Sequence, residues 1–97
     1  MLNKIYAKNN DLVSRKITDE VILVPISKKV ADVNAVYLLK NEVAQRIWEL
    51  MDGKRNLGAI GETIYQEFEV DKKTAAQDIL KLTGQLEKEG CIIEVKP

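Results

Sequence analysis

Residues 41–53, NEVAQRIWELMDG, predict the helix around which the rest of the chain is arranged. Asn41 is a favourable N-cap because its side-chain oxygen can accept a free amide of the first turn. A wide apolar stripe at helical spacing follows, made of Val43, Ala44, Ile47, Trp48, Leu50 and Met51. Such a stripe is typical of a helix that is covered on more than one side. We therefore predict a helix over residues 41–52, with Trp48 as a buried structural anchor and Gly53 as its stop.

The composition is that of one soluble globular domain. The 97 residues are 45% hydrophobic and 31% charged, and 15 basic and 15 acidic side chains give a formal net charge of 0. This balance provides no bulk attraction to nucleic acid or to an anionic membrane. No apolar run approaches the roughly 20 residues that span a membrane, and the N-terminus lacks the apolar stretch of a secretion signal. We expect a cytoplasmic protein with neither a nucleic-acid nor a membrane partner.

The sequence offers no set of residues typical of catalysis or of metal binding. It contains no histidine and a single cysteine, Cys91, which excludes most metal sites and most nucleophile–base pairs. Gly58 and Gly61 lie within a helical pattern that no strand precedes, so they do not form a phosphate-binding loop. We expect a protein that is not an enzyme and uses no cofactor, with Cys91 as a small core residue.

Three strands are predicted before the Trp48 helix. Residues 1–10 are polar and are expected to form a flexible N-terminal segment. Residues 11–18 and 20–26 are predicted to pair as a hairpin. Residues 34–39 form the best part of a third strand, and alternation places apolar side chains on both of its faces. Such a strand is either well buried or borders a groove that a partner fills.

Two further helices and a short strand follow. Lys54 and Arg55 are predicted to form a turn, and Asn56 to cap a helix over residues 57–68. The next helix runs from a cap at Asp71 to about residue 89, and residues 91–95 form the final strand. The core stripe of this third helix consists of Ala75, Ile79, Leu82 and Leu86, and the flank of the helix carries Ala76, Leu80 and Thr83.

The order of these elements predicts the fold class. Three strands, three helices and a short strand follow one another in the order of a winged-helix-like domain. We therefore predict an α+β fold in which a three-stranded antiparallel N-terminal sheet packs on three helices. One domain is expected over residues 11–97.

Two stretches of the chain carry a resemblance to a known family. The more specific stretch follows an extended apolar segment and includes Asn41, Ile47, Trp48, Glu49, Leu50, Asp52 and Gly53. The second is a spaced pattern made of Asn56, Leu57, Ile60, Ile64, Phe68, Val70, Asp71, Ile79, Leu82, Leu86 and Gly90. Over residues 12–93 the chain resembles the PqqD family, that of the peptide chaperone of pyrroloquinoline quinone (PQQ) synthesis.

The resemblance implies a peptide-binding function in the biosynthesis of ribosomally made and modified peptides. The resemblance implies that the chain, like members of this family, binds the leader of a precursor peptide as an added strand and delivers it to a modifying enzyme, often a radical S-adenosylmethionine (SAM) enzyme. An edge strand suits this task because its free N–H and C=O groups bind extended peptides of many sequences. The candidate site joins the third strand to the flank of the third helix. Its residues are Asn34, Ala35, Val36, Tyr37, Leu38, Leu39, Ala76, Leu80 and Thr83.

Several alternatives stay open at this level. Lys40 stands where the family often carries leucine, and it either ends the strand in solvent or meets an acidic leader residue. Leu80 is either a core leucine or part of the groove wall. The second and third helices could also form the helix-turn-helix of a DNA-binding regulator, although the balanced charge of the third helix disfavours this function. An exposed edge strand permits pairing with a second copy, so monomer and dimer are both open.

Overall fold

The fold is α+β, as predicted, and is known here from a computed structural model that describes residues 2–25 and 37–96. The predicted residues 26 and 34–36 of the strands lie outside these ranges. The elements in chain order are β1 (Ile5–Lys8), β2 (Leu12–Ile17), β3 (Glu20–Pro25), β4 (Tyr37–Leu39), α1 (Glu42–Leu50), β5 (Asp52–Asn56), α2 (Leu57–Glu67), α3 (Lys72–Lys88) and β6 (Ile92–Val95). None of these helices is long and apolar enough to cross a membrane.

The predicted N-terminal sheet has the antiparallel order β2-β3-β4. Its hairpin register pairs Val13 with Val24, and β4 joins β3 with Leu39 opposite Val21. Leu23 and Leu39 share the inner face and are each 1% exposed, in contact with the core of the domain. The outer face is open, since Leu38 is 41% exposed. The helices therefore cover only one of the two apolar faces of β4.

Side-chain caps start all three of the described helices. Asn41 accepts from the amide of Ala44 at 2.8 Å, and Asn56 accepts from the amide of Ala59 at 2.8 Å. Asp71 accepts from the amide of Thr74 at 2.7 Å, and this bond is the main reason that the pKa of Asp71 lies below its ordinary value. Each cap satisfies an amide that has no partner inside its helix. The three predicted N-caps are confirmed.

The helices bury the stripes that their periodicity predicts. In α3 the four stripe residues are at most 9% exposed. In α2 the apolar residues at a spacing of three and four, Leu57, Ile60 and Ile64, are at most 1% exposed. Trp48 of α1 is 4% exposed, as expected of a structural anchor. Gly90 ends α3 at φ +76°, and the amide of Cys91 donates to the carbonyl of Leu86 in the usual left-handed cap.

The prediction of a flexible N-terminal segment is wrong. β1 is the central strand of a second antiparallel sheet, β5-β1-β6, and Tyr6 is only 2% exposed. The carbonyls of Leu2 and Lys4 also accept the amides of Gly58 and Leu57 at the start of α2. The N-terminus is therefore held by backbone pairing with two strands that lie far away in the sequence, which its own polar composition does not indicate.

The predicted turn at Lys54 and Arg55 is also wrong, and the first helix is shorter than predicted. α1 ends at Leu50, and residues 52–56 form β5 against β1. Gly53 does adopt the left-handed conformation, at φ +79°, but it does so within β5, where the register with β1 shifts. The left-handed φ is what favours glycine here, and a Cβ would in addition lie in tight contact with Ala7 Cβ at 3.3 Å.

Candidate functional site

The candidate site begins at β4, which lies at one edge of its sheet. Among the described residues β4 pairs only with β3, so its other side carries backbone N–H and C=O groups without a strand partner. Such an edge is a template for another extended chain. The strand is short, at three residues, and ends two positions before the N-cap Asn41.

Gln45 fixes the end of β4 against α1. Its side-chain amide donates to the carbonyl of Leu39 at 2.9 Å and to the carbonyl of Asp19 at 2.7 Å. One glutamine therefore ties the end of the edge strand and the turn between β2 and β3 to the same helix. This contact holds β4 in a defined position beside the helices.

A groove runs between α1 and α3 from the point where β4 ends. It has a volume of about 310 Å³, and we call it the α1–α3 groove. Its lining consists of Asn41, Val43, Ala44, Ile47, Asp78, Lys81, Leu82 and Gln85. The floor is apolar, with Ile47 and Leu82 almost fully buried, and the exposed Asp78 and Lys81 place one charge of each sign on the rim. A groove of this kind can take an apolar side chain flanked by polar ones.

A bidentate ion pair holds α1 on its other side. Arg46 donates to the two carboxylate oxygens of Glu67 at 2.8 and 2.9 Å, which links α1 to the end of α2. The hydrogen bonds from Arg46 hold the pKa of the Glu67 carboxyl below its ordinary value. Paired bonds of this geometry fix orientation as well as distance, so α1 presents its groove side in a fixed orientation.

The predicted strand residues of the site fall into two groups. Asn34, Ala35 and Val36 lie outside the described residues. Tyr37 pairs through its backbone with Leu23, and Leu38 and Leu39 complete the strand. Leu39 points to the core, whereas Leu38 points away from it and is exposed.

The predicted helix residues of the site lie away from the α1–α3 groove. Ala76 lines a separate hollow with Leu2 and Gly58 on the α2 side of α3. Leu80 is half-buried against the core, which favours the core reading of this leucine. Thr83 is 4% exposed, and its Oγ1 has no hydrogen-bond partner among the described residues. These three residues remain predictions as peptide contacts.

The α3 residues that do line the groove are Asp78, Lys81, Leu82 and Gln85. The sequence analysis assigned Leu82 to the core stripe and gave the other three no binding role. They lie on the opposite flank of the stripe from Ala76 and Leu80. Periodicity identifies both flanks equally well, and only the packing of α1 against α3 shows which flank borders α1 and so lines the groove.

Two solved structures share this fold. One, titled "TbiB1 in Complex with the TbiA(beta) Leader Peptide", is 23% identical, covers 94% of this chain and 99% of its own, and superposes with a TM-score of 0.74. The other, a lasso peptide synthetase B1 complexed with the leader peptide, is 16% identical, covers 91% of this chain and 96% of its own, and also has a TM-score of 0.74. The chain thus has the fold of these small α+β proteins over nearly its whole length.

Sequence comparison then places the chain in a family. The family model of "Coenzyme PQQ synthesis protein D (PqqD)" matches residues 20–92. The chain belongs to the PqqD family, as its resemblance predicted. A comparison with curated proteins gives no significant match.

Proposed function

We propose that this protein binds the leader of a ribosomally synthesised precursor peptide by strand addition to β4 and presents it to a modifying enzyme. The observation that carries the proposal is an edge strand that, among the described residues, has a strand partner on one side only and that ends beside the α1–α3 groove with its apolar floor. Membership of the PqqD family and the leader peptides named for the two structural neighbours support it. The enzyme class that the family implies is the radical SAM enzymes, as in PQQ-like biosynthesis.

Strand addition and the groove serve different parts of recognition. The backbone groups of β4 that face away from β3 bind the leader whatever its sequence, because every residue except proline offers the same donor and acceptor. Selectivity then comes from side-chain pockets. The apolar floor of the α1–α3 groove selects one apolar leader side chain, and the rim charges of Asp78 and Lys81 act on the residues that flank it.

A titration of the isotopically labelled protein tests this proposal. The ligands are synthetic leader peptides of the precursors encoded beside its gene, and the readout is the shift of backbone amide signals. Shifts concentrated on β4 and on the lining of the α1–α3 groove are the expected result. Shifts with duplex DNA along α3, in the absence of any with the leaders, would instead favour a DNA-binding winged helix.

A pair of substitutions locates the site. Val43→Glu introduces a charge into the groove and should weaken leader binding roughly ten-fold or more, because the charge is desolvated at the interface. The fold should persist, since Val43 lies in the first turn of α1, where a carboxylate suits the helix dipole. The matched control is Val13→Glu on the outer face of the sheet, where Val13 is 37% exposed. Equal affinity of both variants and the wild type would contradict the assignment of the groove.

A further inference from the structure

A second cleft lies at the other edge of the sheet that contains β4. β2 is that edge strand, and among the described residues it pairs only with β3. Three consecutive β2 residues, Ser14, Arg15 and Lys16, line a hollow of about 530 Å³ against α1. Side chains alternate between the two faces of a strand, so a lining of three successive residues indicates that the backbone edge itself forms part of the wall. We call this hollow the β2 cleft.

The other wall of the β2 cleft is the C-terminal half of α1. Trp48 and Glu49 line it there, and Val21 of β3 contributes a half-buried apolar side chain. Trp48 is 4% exposed and belongs to the buried core, so this wall is anchored in the core of the domain. The β2 cleft therefore repeats the layout of the β4 site, with an unpaired strand edge on one side and a helix with apolar residues on the other.

The charge of the β2 cleft is strongly one-sided. Lys8, Arg15 and Lys16 line it with a single carboxylate, that of Glu49. These groups sum to +2 in a chain whose formal net charge is 0. Arg15 and Lys16 are exposed and form no ion pair with any described residue. The excess positive charge is therefore available to a negatively charged partner.

Lys8 places its charge in the β2 cleft beside the C-terminal end of α1. Its ammonium donates to the carbonyls of Met51 at 3.0 Å and Glu49 at 3.3 Å, at the end of α1, and lies 5.2 Å from the centre of the Trp48 ring. Burial lowers the pKa of Lys8, and the nearby carboxylates of Asp52 and Glu49 oppose this shift. This lysine thus contributes a charge that is hydrogen-bonded to the end of α1, whereas Arg15 and Lys16 are exposed to a ligand.

We infer that the β2 cleft binds an extended acidic segment of the modifying enzyme, and this inference rests on the proposed function. Delivery of a leader requires that the domain hold the peptide and the enzyme at the same time. β2 and β4 are the two opposite edges of one sheet, so a peptide on β4 leaves β2 free. The unpaired edge selects an extended segment, and the excess positive charge selects an acidic one.

Charge reversal in the β2 cleft tests the inference. The binding of the full chain to the modifying enzyme encoded beside its gene, and separately to the leader peptide, is measured by calorimetry. The test variant is Arg15→Glu/Lys16→Glu. The matched control, Lys54→Glu/Lys96→Glu, makes the same change of net charge at two exposed lysines that do not line the β2 cleft. Circular dichroism checks the folding of both, and Arg15→Gln/Lys16→Gln replaces the test variant if charge reversal unfolds it.

The expected result is an affinity for the enzyme that falls roughly ten-fold or more in the test variant and stays within about two-fold in the control. Leader affinity should not change in either. Wild-type binding to the enzyme should weaken as salt is raised from about 50 to 500 mM. An enzyme affinity equal in the test and control variants would overturn the inference, as would a wild-type chain that does not bind the enzyme. Cleft-dependent enzyme binding without any leader binding would instead reject the proposed function alone.

Discussion

At the scale of single residues, Cys91 shows how burial controls chemistry. Its side chain is 4% exposed, and burial, with a smaller effect of the Glu89 carboxylate, raises the pKa of its thiol to about 11. The thiolate is the reactive form. At pH 8 the folded protein therefore holds roughly 100-fold less thiolate than an unfolded chain with an ordinary cysteine pKa.

We predict that Cys91 reacts with a thiol reagent at pH 8 at least roughly 100-fold more slowly in the native protein than in denaturant. The raised pKa also makes stability depend on alkaline pH. The contribution is fully present below the ordinary value of 9.0 and is lost as pH rises through about 11, because the unfolded chain releases its proton first. The measurements are labelling rates and thermal unfolding from pH 7 to 11. Rapid native labelling would show that Cys91 is accessible.

Thr83 is a second residue whose burial has an energetic consequence. Its buried hydroxyl has no hydrogen-bond partner among the described residues. Thr83→Val keeps the shape of the side chain and removes the polar group. We expect the free energy of unfolding to rise by about 1 kcal/mol, measured by urea denaturation. The control is Thr63→Val, which removes a bond from Oγ1 to the carbonyl of Ala59 and should give no such gain. Destabilisation by Thr83→Val would mean that the hydroxyl is hydrogen-bonded. The affinity of the same variant for the leader tests the predicted contact between Thr83 and the peptide.

At this scale the sequence predicts what depends on local chemistry. The caps Asn41, Asn56 and Asp71 are recognisable because each acts on an amide three residues away. The burial of Thr83 and the position of Asp78 in the groove cannot be recognised from the sequence, since both depend on which neighbour packs against each flank of α3. A helical stripe indicates the buried face and leaves the identity of the neighbours undetermined.

At the scale of elements, two glycines in regular structure should respond to alanine in opposite ways. Gly84 lies inside α3, where an added Cβ would meet no atom within 4 Å. Gly84→Ala should raise the free energy of unfolding by about 0.5–1 kcal/mol, because glycine loses the most backbone freedom in a helix. A rise of roughly 3–6 °C in Tm by differential scanning calorimetry is expected. An unchanged Tm would indicate that the middle of α3 is not a regular helix.

Gly53 is the matched contrast within β5. Its φ of +79° and the 3.3 Å approach to Ala7 both oppose a side chain. Gly53→Ala should lower the free energy of unfolding by about 1–2 kcal/mol or more, since a left-handed backbone is costly for any residue with a Cβ. Urea denaturation of Gly53→Ala and Gly84→Ala side by side measures the difference. Two effects of the same sign would contradict this account of the β1–β5 contact.

The elements differ in how far the sequence predicts them. All three described helices and β3 carry clear local signals, namely a period of 3.6 in the helices and the β-branched apolar run VILV in β3. β1 and β5 do not, because IYAK is short and DGKRN is wholly polar. Both are strands because of their partners, since β5 pairs with β1 and β1 pairs with both β5 and β6, and Tyr6 is the one fully buried side chain of β1. Pairing between segments about 50 residues apart has no local signature.

At the scale of the whole molecule, the N-terminal strand joins parts of the domain that lie far apart in the sequence. β1 pairs with β5 before α2 and with β6 after α3, so it closes the chain around the helical core. Tyr6 also donates from its hydroxyl to the carboxylate of Glu87 on α3 at 3.3 Å. β1 therefore also supports the candidate site. Helix α1 borders both the α1–α3 groove and the β2 cleft, and it leads directly into β5, which pairs with β1.

Deletion of residues 1–9 should therefore abolish cooperative folding, although these residues do not line the α1–α3 groove. The deletion removes the central strand of the sheet β5-β1-β6, exposes the apolar side of β6 and leaves two amides of α2 without their carbonyl partners. Summed over a four-residue strand and one buried aromatic side chain, the loss is comparable to the roughly 5–15 kcal/mol of a whole domain. Thermal unfolding followed by circular dichroism measures it.

The control is a chain that begins at Lys4. It keeps all of β1 and the carbonyl of Lys4 that accepts from Leu57. It loses residues 1–3, of which the described Leu2 and Asn3 are exposed, together with the backbone bond from Gly58 to Leu2. This chain should unfold cooperatively and bind the leader within about two-fold of the full protein, because its sheet stays complete. A deletion of residues 1–9 that melts like this control would show that the N-terminus is dispensable. The sequence-based prediction of a loosely held segment would then be correct, and the support that we assign to β1 would have to come from the helices alone.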